Sequence, residues 1–351
     1  MSAPLEWKSG RVLVTGAGGF VGRQVVEIGR RLGAEMHFLG RTSPTSAKEL
    51  RHPERSAGSS ATGTQSKDPG GSLTHGAEAD RRGPSTALHS AQDDEFHAGE
   101  IEDAARVVEV VAEVAPAGII HLAAAGVSYG QSDVQALCRV NALGLANVLA
   151  AASQLASPPA VVGAGSGFEY APLDRARRES DALLPNSAYG ASKAAATAIA
   201  SFYAARLPVT MLRPFSIYGA GEPAGRLAAY VIAKTRAGEP VDLTPGAQLR
   251  DYAEVGDVAE AFWRALMQPP TSGALRVLNV ASGEVITLRA FVEAVADALR
   301  GAGFTPDLRF GARPYRSDEM MSYTADISLL RTTLGWTPAT PLATGLARML
   351  A

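Results

Sequence analysis

Tyr189-Gly190-Ala191-Ser192-Lys193 sets a phenol and an ammonium four positions apart. On a helix, residues four apart share a face, so the two groups lie side by side. A free tyrosine ionises near ~10. A neighbouring lysine cation favours the phenolate, which is expected to draw Tyr189 towards useful acid–base range. Far upstream, Gly16-Ala17-Gly18-Gly19-Phe20-Val21-Gly22 follows a β-branched run and opens a helical stretch. Gly16 permits the tight turn, Gly19 lets backbone approach a pyrophosphate, and Gly22 lets the helix pack against a sheet. The helix start adds unpaired N–H groups and partial positive charge. This strand–turn–helix context predicts a bound dinucleotide. A chain that prefers NAD carries an acid at the end of its second strand for the ribose 2′-hydroxyl. Here Gly40 and Arg41 stand in that place. Gly40 leaves room for a 2′-phosphate and Arg41 can neutralise it with a fork of donors. NADP(H) is therefore favoured, with NAD possible; the plainer reading of Arg41 is a solvated residue before a loop.

The elements that must hold these groups alternate. Arg11 to Thr15 reads as a strand, Phe20 to Leu32 as a helix with Val21, Val25 and Ile28 on one face, and Met36 to Leu39 as the next strand. Gly118–His121, Ala160–Val162 and Pro208–Leu212 are further strand candidates, separated by helical stretches at Ile101–Val114, Asp133–Leu155 and Ala188–Arg206. Repeated β-α units imply an α/β, doubly wound parallel sheet, the Rossmann architecture. Residues 1–218 are expected to form the nucleotide-binding domain, and 219–351, where the pattern loosens, mainly a smaller C-terminal substrate lobe. From about Thr45 to Gln92 the chain is rich in Ser, Gly, His, Arg and Pro with almost no apolar periodicity. Such a stretch is uncommon inside a compact domain and is expected to be an inserted surface loop, the alternative being a lid or partner-binding loop. Its words around Leu50–Ser56 and Pro84–Asp94 resemble translated interspersed repeats of bacterial genomes. Its histidines show no regular ligand spacing, so no metal site is expected.

The 351 residues are 46% hydrophobic, enough for a sizeable core, and the formal net charge is −2. That charge argues against nucleic acid or an anionic membrane as a partner. The single cysteine, Cys138, excludes an intramolecular disulfide and is expected to be a small buried apolar residue. Met1 to Gly10 has no apolar signal core, and no apolar run approaches a membrane span of ~20 residues. The expected compartment is the cytoplasm.

Several motifs occur in a fixed order: Thr15–Gly22, His121-Leu122-Ala123-Ala124, Val140–Gly144, Tyr189-x-x-x-Lys193 and Leu212–Gly219. Arg250-Asp251-Tyr252, Gly256-Asp257-Val258, Asn279–Gly283 and Leu334–Pro338 continue the series. Together they resemble the extended short-chain dehydrogenase/reductases, the NAD-dependent epimerase/dehydratase family, most of which handle nucleotide sugars. The resemblance covers nearly the whole chain outside the insertion. It implies that Ser166, four before Tyr170, bonds the reacting oxygen, that Tyr189 is general acid or base, and that Lys193 holds the nicotinamide ribose and lowers the tyrosine pKa. It implies that Leu122, Ala123 and Asn141 line the cofactor cleft, that Glu100 with Ile101 meets the adenine, and that Pro214 to Ile217 lie near the nicotinamide amide. Asn141 could instead cross-brace a helix, and Glu100 could be an acid favoured by a helix start. Arg250 and Arg313 are the natural cations for a nucleotide diphosphate, or else members of surface ion pairs.

Departures narrow the chemistry. The family's 4,6-dehydratases place Thr-Asp-Glu where this chain has Ser166-Gly167-Phe168, so elimination of water lacks its acid and base. Ser216 replaces an Asn of many relatives, which weakens one expected diphosphate contact. The Ser166-x-x-Glu169-Tyr170 pattern is similar to that of 4-keto-sugar reductases, which makes Glu169 a candidate substrate contact. The expectation is thus an NADP(H)-dependent oxidoreductase acting on a nucleotide-linked sugar, most specifically a 4-keto-6-deoxy-sugar reductase. A nucleotide-sugar 4-epimerase that retains NAD and a dinucleotide-binding regulatory protein are the alternatives. The resemblance also implies a homodimer formed through the helices around Asp133–Leu155 and Ala188–Arg206.

Overall fold

The computed structural model describes residues 4–8, 10–41, 94–126, 133–271, 273–317 and 319–351. The insertion expected at about 45–92 lies outside the described residues. β1 (Arg11–Thr15), α1 (Phe20–Arg31) and β2 (Glu35–Gly40) form the first β-α-β unit. β3 (Glu95–Ala98) pairs with β2 and leads into α2 (Ala104–Val114) and β4 (Gly118–His121). β3 went unnamed in the sequence because Glu95-Phe96-His97-Ala98 offers one aromatic among polar residues. α2 starts three residues later than the apolar pattern suggests, since the Asp103 carboxylate accepts the Arg106 N–H at 3.1 Å and caps it there.

α3 (Val134–Cys138) runs through a π turn (Arg139–Leu143) into α4 (Gly144–Ala152), followed by β5 (Ala160–Ala164), α5 (Ala188–Tyr203) and β6 (Val209–Pro214). The helical run Val134–Ala152 is long and apolar enough to cross a membrane by length and composition, which corrects the expectation that no run approached that size. Here it packs into the fold, with Leu137, Leu145, Val148 and Leu149 fully buried. Cys138 is half-buried.

β7 (Ser216–Tyr218), α6 (Leu227–Arg236), β8 (Val241–Leu243), β9 (Leu249–Glu254), α7 (Val255–Met267) and β10 (Arg276–Val280) come next. β11 (Val285–Thr287), α8 (Leu288–Gly301), β12 (Leu308–Phe310), β13 (Ser322–Tyr323), α9 (Ser328–Leu334) and α10 (Leu342–Leu350) complete the chain. The main sheet has seven parallel strands in the order β10-β6-β5-β4-β1-β2-β3. The order reverses beside β1, so a crevice opens at the strand C-termini between β1 and β4, the usual place for a dinucleotide.

One face of the sheet is covered by α1 and α7, which bury Val25, Phe262, Trp263 and Leu266. The other is covered by α2, α4 and α5, which bury Val107, Val148, Leu149 and Ala200. Trp263 also donates its indole N–H to the Val25 carbonyl at 2.8 Å, pinning α7 to α1. A third cluster, centred on Val231, Phe291, Val295 and Leu299, belongs to the substrate lobe. That lobe carries β11-β9-β13 with β7 added to β9, and the β12-β8 pair. The division expected at 218/219 is not a clean cut. α7 and β10 lie beyond it and return to the main sheet, β10 pairing with β6 in register from Arg276 to Val280.

Candidate active site

The glycine loop is built as a cradle. Gly16 has φ +72°, and a Cβ there would sit 2.6 Å from the Ala123 nitrogen. Gly22 lies against the same turn, and its Cβ would come 2.2 Å from the Gly16 carbonyl oxygen. Neither position tolerates a side chain while β1, α1 and the β4 loop stay where they are. Gly19 begins the helix without a side-chain cap and the first turn of α1, from Phe20 and Val21, holds no acid, so its N–H groups and dipole face the cleft uncompensated. The residues present therefore fit a dinucleotide pyrophosphate. Leu122 and Ala123 follow β4, the Leu122 N–H on the Thr15 carbonyl and the Ala123 N–H on the Thr15 hydroxyl at 3.3 Å. His121 is buried against Thr15, its Nδ1 2.8 Å from the hydroxyl oxygen. Burial, reinforced by the Lys193 charge, drops its pKa to about 3, so it stays neutral.

Gly40 closes β2 and leaves Arg41 exposed beyond it. Glu100 is exposed after β3, and Ile101 is half-buried with its carbonyl held by the Asn147 amide at 3.0 Å. Asn141 sits in the π turn and is 1% exposed. Its carbonyl oxygen accepts the Ala125 N–H at 2.8 Å, and its NH2 donates to the Ala125 carbonyl and the Ser192 hydroxyl. All of that amide is used to brace the β4 loop against α5, the second of the two roles open to it from sequence.

Ser187 caps α5 by accepting the Gly190 N–H at 3.1 Å, which starts the helix with Tyr189 and Lys193 on one face. The Lys193 ammonium donates to the Ala164 carbonyl at 2.9 Å and lies 5.9 Å from the centre of the Tyr189 ring. Burial lowers Lys193 to about 8. Tyr189 is not lowered as the spacing suggested. Burial pushes it up to about 12, with hydrogen bonding to Ser166 and the Arg226 charge opposing the rise and the Glu169 charge adding to it. The ammonium stands 5.9 Å from the ring centre and gives one of its three protons to Ala164, so desolvation of the phenol dominates. Tyr189 is consequently a neutral acid at physiological pH.

Ser166 is held by its own short helical turn, Gly167–Glu169. Its hydroxyl accepts the Phe168 N–H at 3.2 Å, and its N–H donates to Glu169 Oε1 at 2.7 Å. Glu169 is 0% exposed, and its other oxygen accepts from Thr197 Oγ1 and Arg213 Nε, each at 2.8 Å. This corrects its assignment to the substrate: the carboxylate is fully buried, accepts from Ser166, Thr197 and Arg213, and anchors Ser166 instead. Arg213 continues to the Tyr170 hydroxyl at 2.8 Å, which donates to Asn279 Oδ1 at 2.7 Å. Asn279 in turn donates to the Arg177 carbonyl at 3.0 Å, so one buried chain links Ser166 to the substrate lobe.

Pro214 ends β6 and Ile217 lies in β7, both half-buried. Arg250 pairs with Glu319 at 3.0 Å and donates to the Met320 carbonyl. Arg313 is exposed and reaches the Tyr230 hydroxyl at 3.2 Å, its guanidinium over that ring. Two residues escaped the sequence. Tyr323, on β13, is 3% exposed and stacks on Phe168 at 4.6 Å, and Ser166 is a hydrogen-bonding neighbour of its phenol as of Tyr189. Those contacts do not reach good hydrogen-bond geometry: the Tyr323 oxygen is buried without a well-aligned partner among the described residues. Arg177 is fully buried beside that ring, 5.7 Å from its centre. No local pattern marks either one; Tyr323 is brought in by a two-residue strand far along the chain, and Arg177 by the connection before α5, which bridges to Ala325.

The NAD dependent epimerase/dehydratase family model matches residues 12–281. UDP-glucose 4-epimerase of Mycolicibacterium smegmatis is 31% identical over 273 residues, covering 74% of this chain and 84% of that protein. dTDP-6-deoxy-L-talose 4-dehydrogenase (NAD(P)(+)) of Kitasatospora kifunensis is 30% identical over 226 residues, 61% of this chain and 69% of its own. Among solved structures, MoeE5 in complex with UDP-glucose and NAD superposes with a TM-score of 0.74 at 26% identity, covering 97% of both chains.

Proposed function

Because the chain belongs to the NAD-dependent epimerase/dehydratase family of NAD(P)-dependent nucleotide-sugar enzymes, we propose that it is an NADP(H)-dependent reductase of a nucleotide-linked 4-keto-6-deoxy sugar. The observation that favours a reductase is the end of β2, where Gly40 and Arg41 stand and no acid does, because Ser166, Tyr189 and Lys193 would serve an epimerase equally. A bound reduced nicotinamide supplies hydride. Ser166 donates a hydrogen bond to the ketone oxygen and Tyr189 gives that oxygen its proton, which is the work of a general acid. Lys193 holds a positive charge beneath the ring as the phenolate forms. Gly40 and Arg41 support the choice of NADP(H), since no acid stands at the end of β2 to repel a 2′-phosphate. The talose dehydrogenase relative, named for NAD(P)(+) and a 6-deoxy sugar, supports the substrate class.

The second reading, a 4-epimerase that retains NAD, draws on the greater coverage of the UDP-glucose 4-epimerase relative. The two differ in cofactor traffic. Purified protein incubated with dTDP-4-dehydro-6-deoxyglucose is expected to consume NADPH stoichiometrically and to arrive with little bound nucleotide. Protein that arrives loaded with NAD and interconverts 4-epimers without net change in nicotinamide absorbance overturns the reductase reading.

A further inference from the structure

The edge of the main sheet carries a second cluster that the proposed reaction does not use. His37 on β2 and His97 on β3 lie 60 residues apart in sequence, yet His37 Nδ1 is 3.2 Å from His97 Nε2. The strand register produces this meeting. His37 sits opposite Glu95, and Leu39 opposite His97, so all four side chains share the face towards α2. Glu95 Oε2 is 3.5 Å from the same His37 Nδ1. One ligand atom from each of His37, Glu95 and His97 falls within a 4.8 Å group.

We propose that His37, Glu95 and His97 form a binding site for a divalent transition-metal ion of the zinc class. Three arguments support it. A tetrahedral ion with bonds of ~2.1 Å holds neighbouring ligand atoms about 3.4 Å apart, and the two contacts to His37 Nδ1 are 3.2 and 3.5 Å. Both imidazoles are buried, at 4% and 5% exposure, while Glu95 is exposed; the two ligands are fixed and the third gives the ion a way in. The outer nitrogens also meet carboxylates. His37 Nε2 is at hydrogen-bond distance, 3.4 Å, from Glu35 Oε1, and His97 Nδ1 faces Glu113 Oε2 on α2 at the longer ion-pair separation of 3.8 Å. A metal-bound histidine characteristically gives its other N–H to a carboxylate, which fixes the ring and raises its basicity.

The nearby cations have other partners. Arg11 donates to Glu35 at 2.8 Å, and Arg106 is turned to the Ala98 carbonyl and Glu109. The set of two imidazoles and one carboxylate suits zinc better than calcium or magnesium. A water completes the tetrahedron. The ion ties β3, a four-residue edge strand paired to β2 alone, across the long connection from Gly40 to Glu95.

The test is isothermal titration of chelator-stripped, full-length protein with zinc chloride, and it reads binding rather than turnover. The wild-type chain is expected to take one ion per protomer and to melt at higher temperature with zinc present. His97→Gln should abolish that site. Glu95→Gln changes an exposed side chain that the fold does not need, and should weaken binding; Glu113→Gln should weaken it about 10–100-fold. Cobalt loading should give tetrahedral d–d absorption in the wild type and none in His97→Gln. Absence of stoichiometric binding overturns the proposal, because it leaves His37 and His97 as an ordinary N–H···N pair. Binding that survives in both Glu95→Gln and His97→Gln also overturns it, since the ion then sits on other histidines.

Discussion

The Glu169–Arg213 pair gives the sharpest test of how Ser166 is positioned. Glu169→Gln is nearly isosteric, so packing is kept and the charge alone is lost. The amide can still accept the Ser166 N–H, but its NH2 then confronts Arg213 Nε donor to donor, where the carboxylate accepted at 2.8 Å. Arg213 is 2% exposed and water cannot take over the bond. Removing one partner of a buried pair costs about 3–5 kcal/mol. For a chain of this size that corresponds to a fall in melting temperature of about 4–7 °C. Calorimetry on Glu169→Gln, Arg213→Met and the double variant measures the coupling. The double variant should lose clearly less than the sum of the singles, because it removes the stranded charge. Turnover should fall in Glu169→Gln even well below its melting temperature, as the Ser166 turn loosens. A melting shift under about 2 °C, or strict additivity of the two singles, would refute the idea that this pair anchors the catalytic serine.

Tyr189→Phe should lower turnover by at least ~100-fold with cofactor affinity retained; in the parent, ketone reduction should hold through neutral pH and fall as Lys193 loses its proton near about 8, as read from a pH–rate profile. Gly22→Ala drives a Cβ into the Gly16 carbonyl, so titration should show loss of NADPH binding together with about 1–3 kcal/mol of stability. Tyr323→Phe removes a buried phenol that lacks a well-aligned partner while keeping the stack on Phe168; with no hydrogen bond lost, melting temperature should hold or rise, and kcat and KM should change little. Val134, Leu143 and Phe202 expose apolar side chains on α3, the π turn and α5. A homodimer is expected through this face, and Phe202→Glu should shift the mass seen by light scattering towards the monomer.

The Rossmann half of the chain was legible because its signals are local. A β-branched run, a glycine turn and a 3.6-residue apolar period each declare themselves within a dozen residues, and β1, α1, β4 and α5 stand where those signals put them. β3 was not legible, since four residues with one aromatic carry no period. Roles that depend on distant partners were also misread. Glu169 looked like a substrate ligand until Arg213 and Thr197 closed over it, and the Tyr189–Lys193 spacing said nothing of the Ala164 carbonyl that orients the ammonium or of the burial that raises the phenol. Tyr323 entered the site from a two-residue strand, and the domain boundary drawn at 218/219 missed the return of β10 because pairing with β6 is a property of the sheet.

The π turn at Arg139–Leu143 bears on how this chain is compared with its relatives. Each residue of an α-helix advances about 100°, so a turn that closes one residue later carries one more residue than its α-helical neighbours. Such a bulge is what a single-residue insertion leaves when the helix on both sides keeps its packing. α3 and α4 are thus in register with their own neighbours but out of phase with one another, and the surplus is absorbed where Asn141 meets Ala125 and Ser192. A relative with an uninterrupted helix here aligns with a one-residue gap between 139 and 143. Deleting one residue in that window should be tolerated only if Leu137 and Leu145 keep their buried places; deleting one on either side of it rotates a whole apolar face into water.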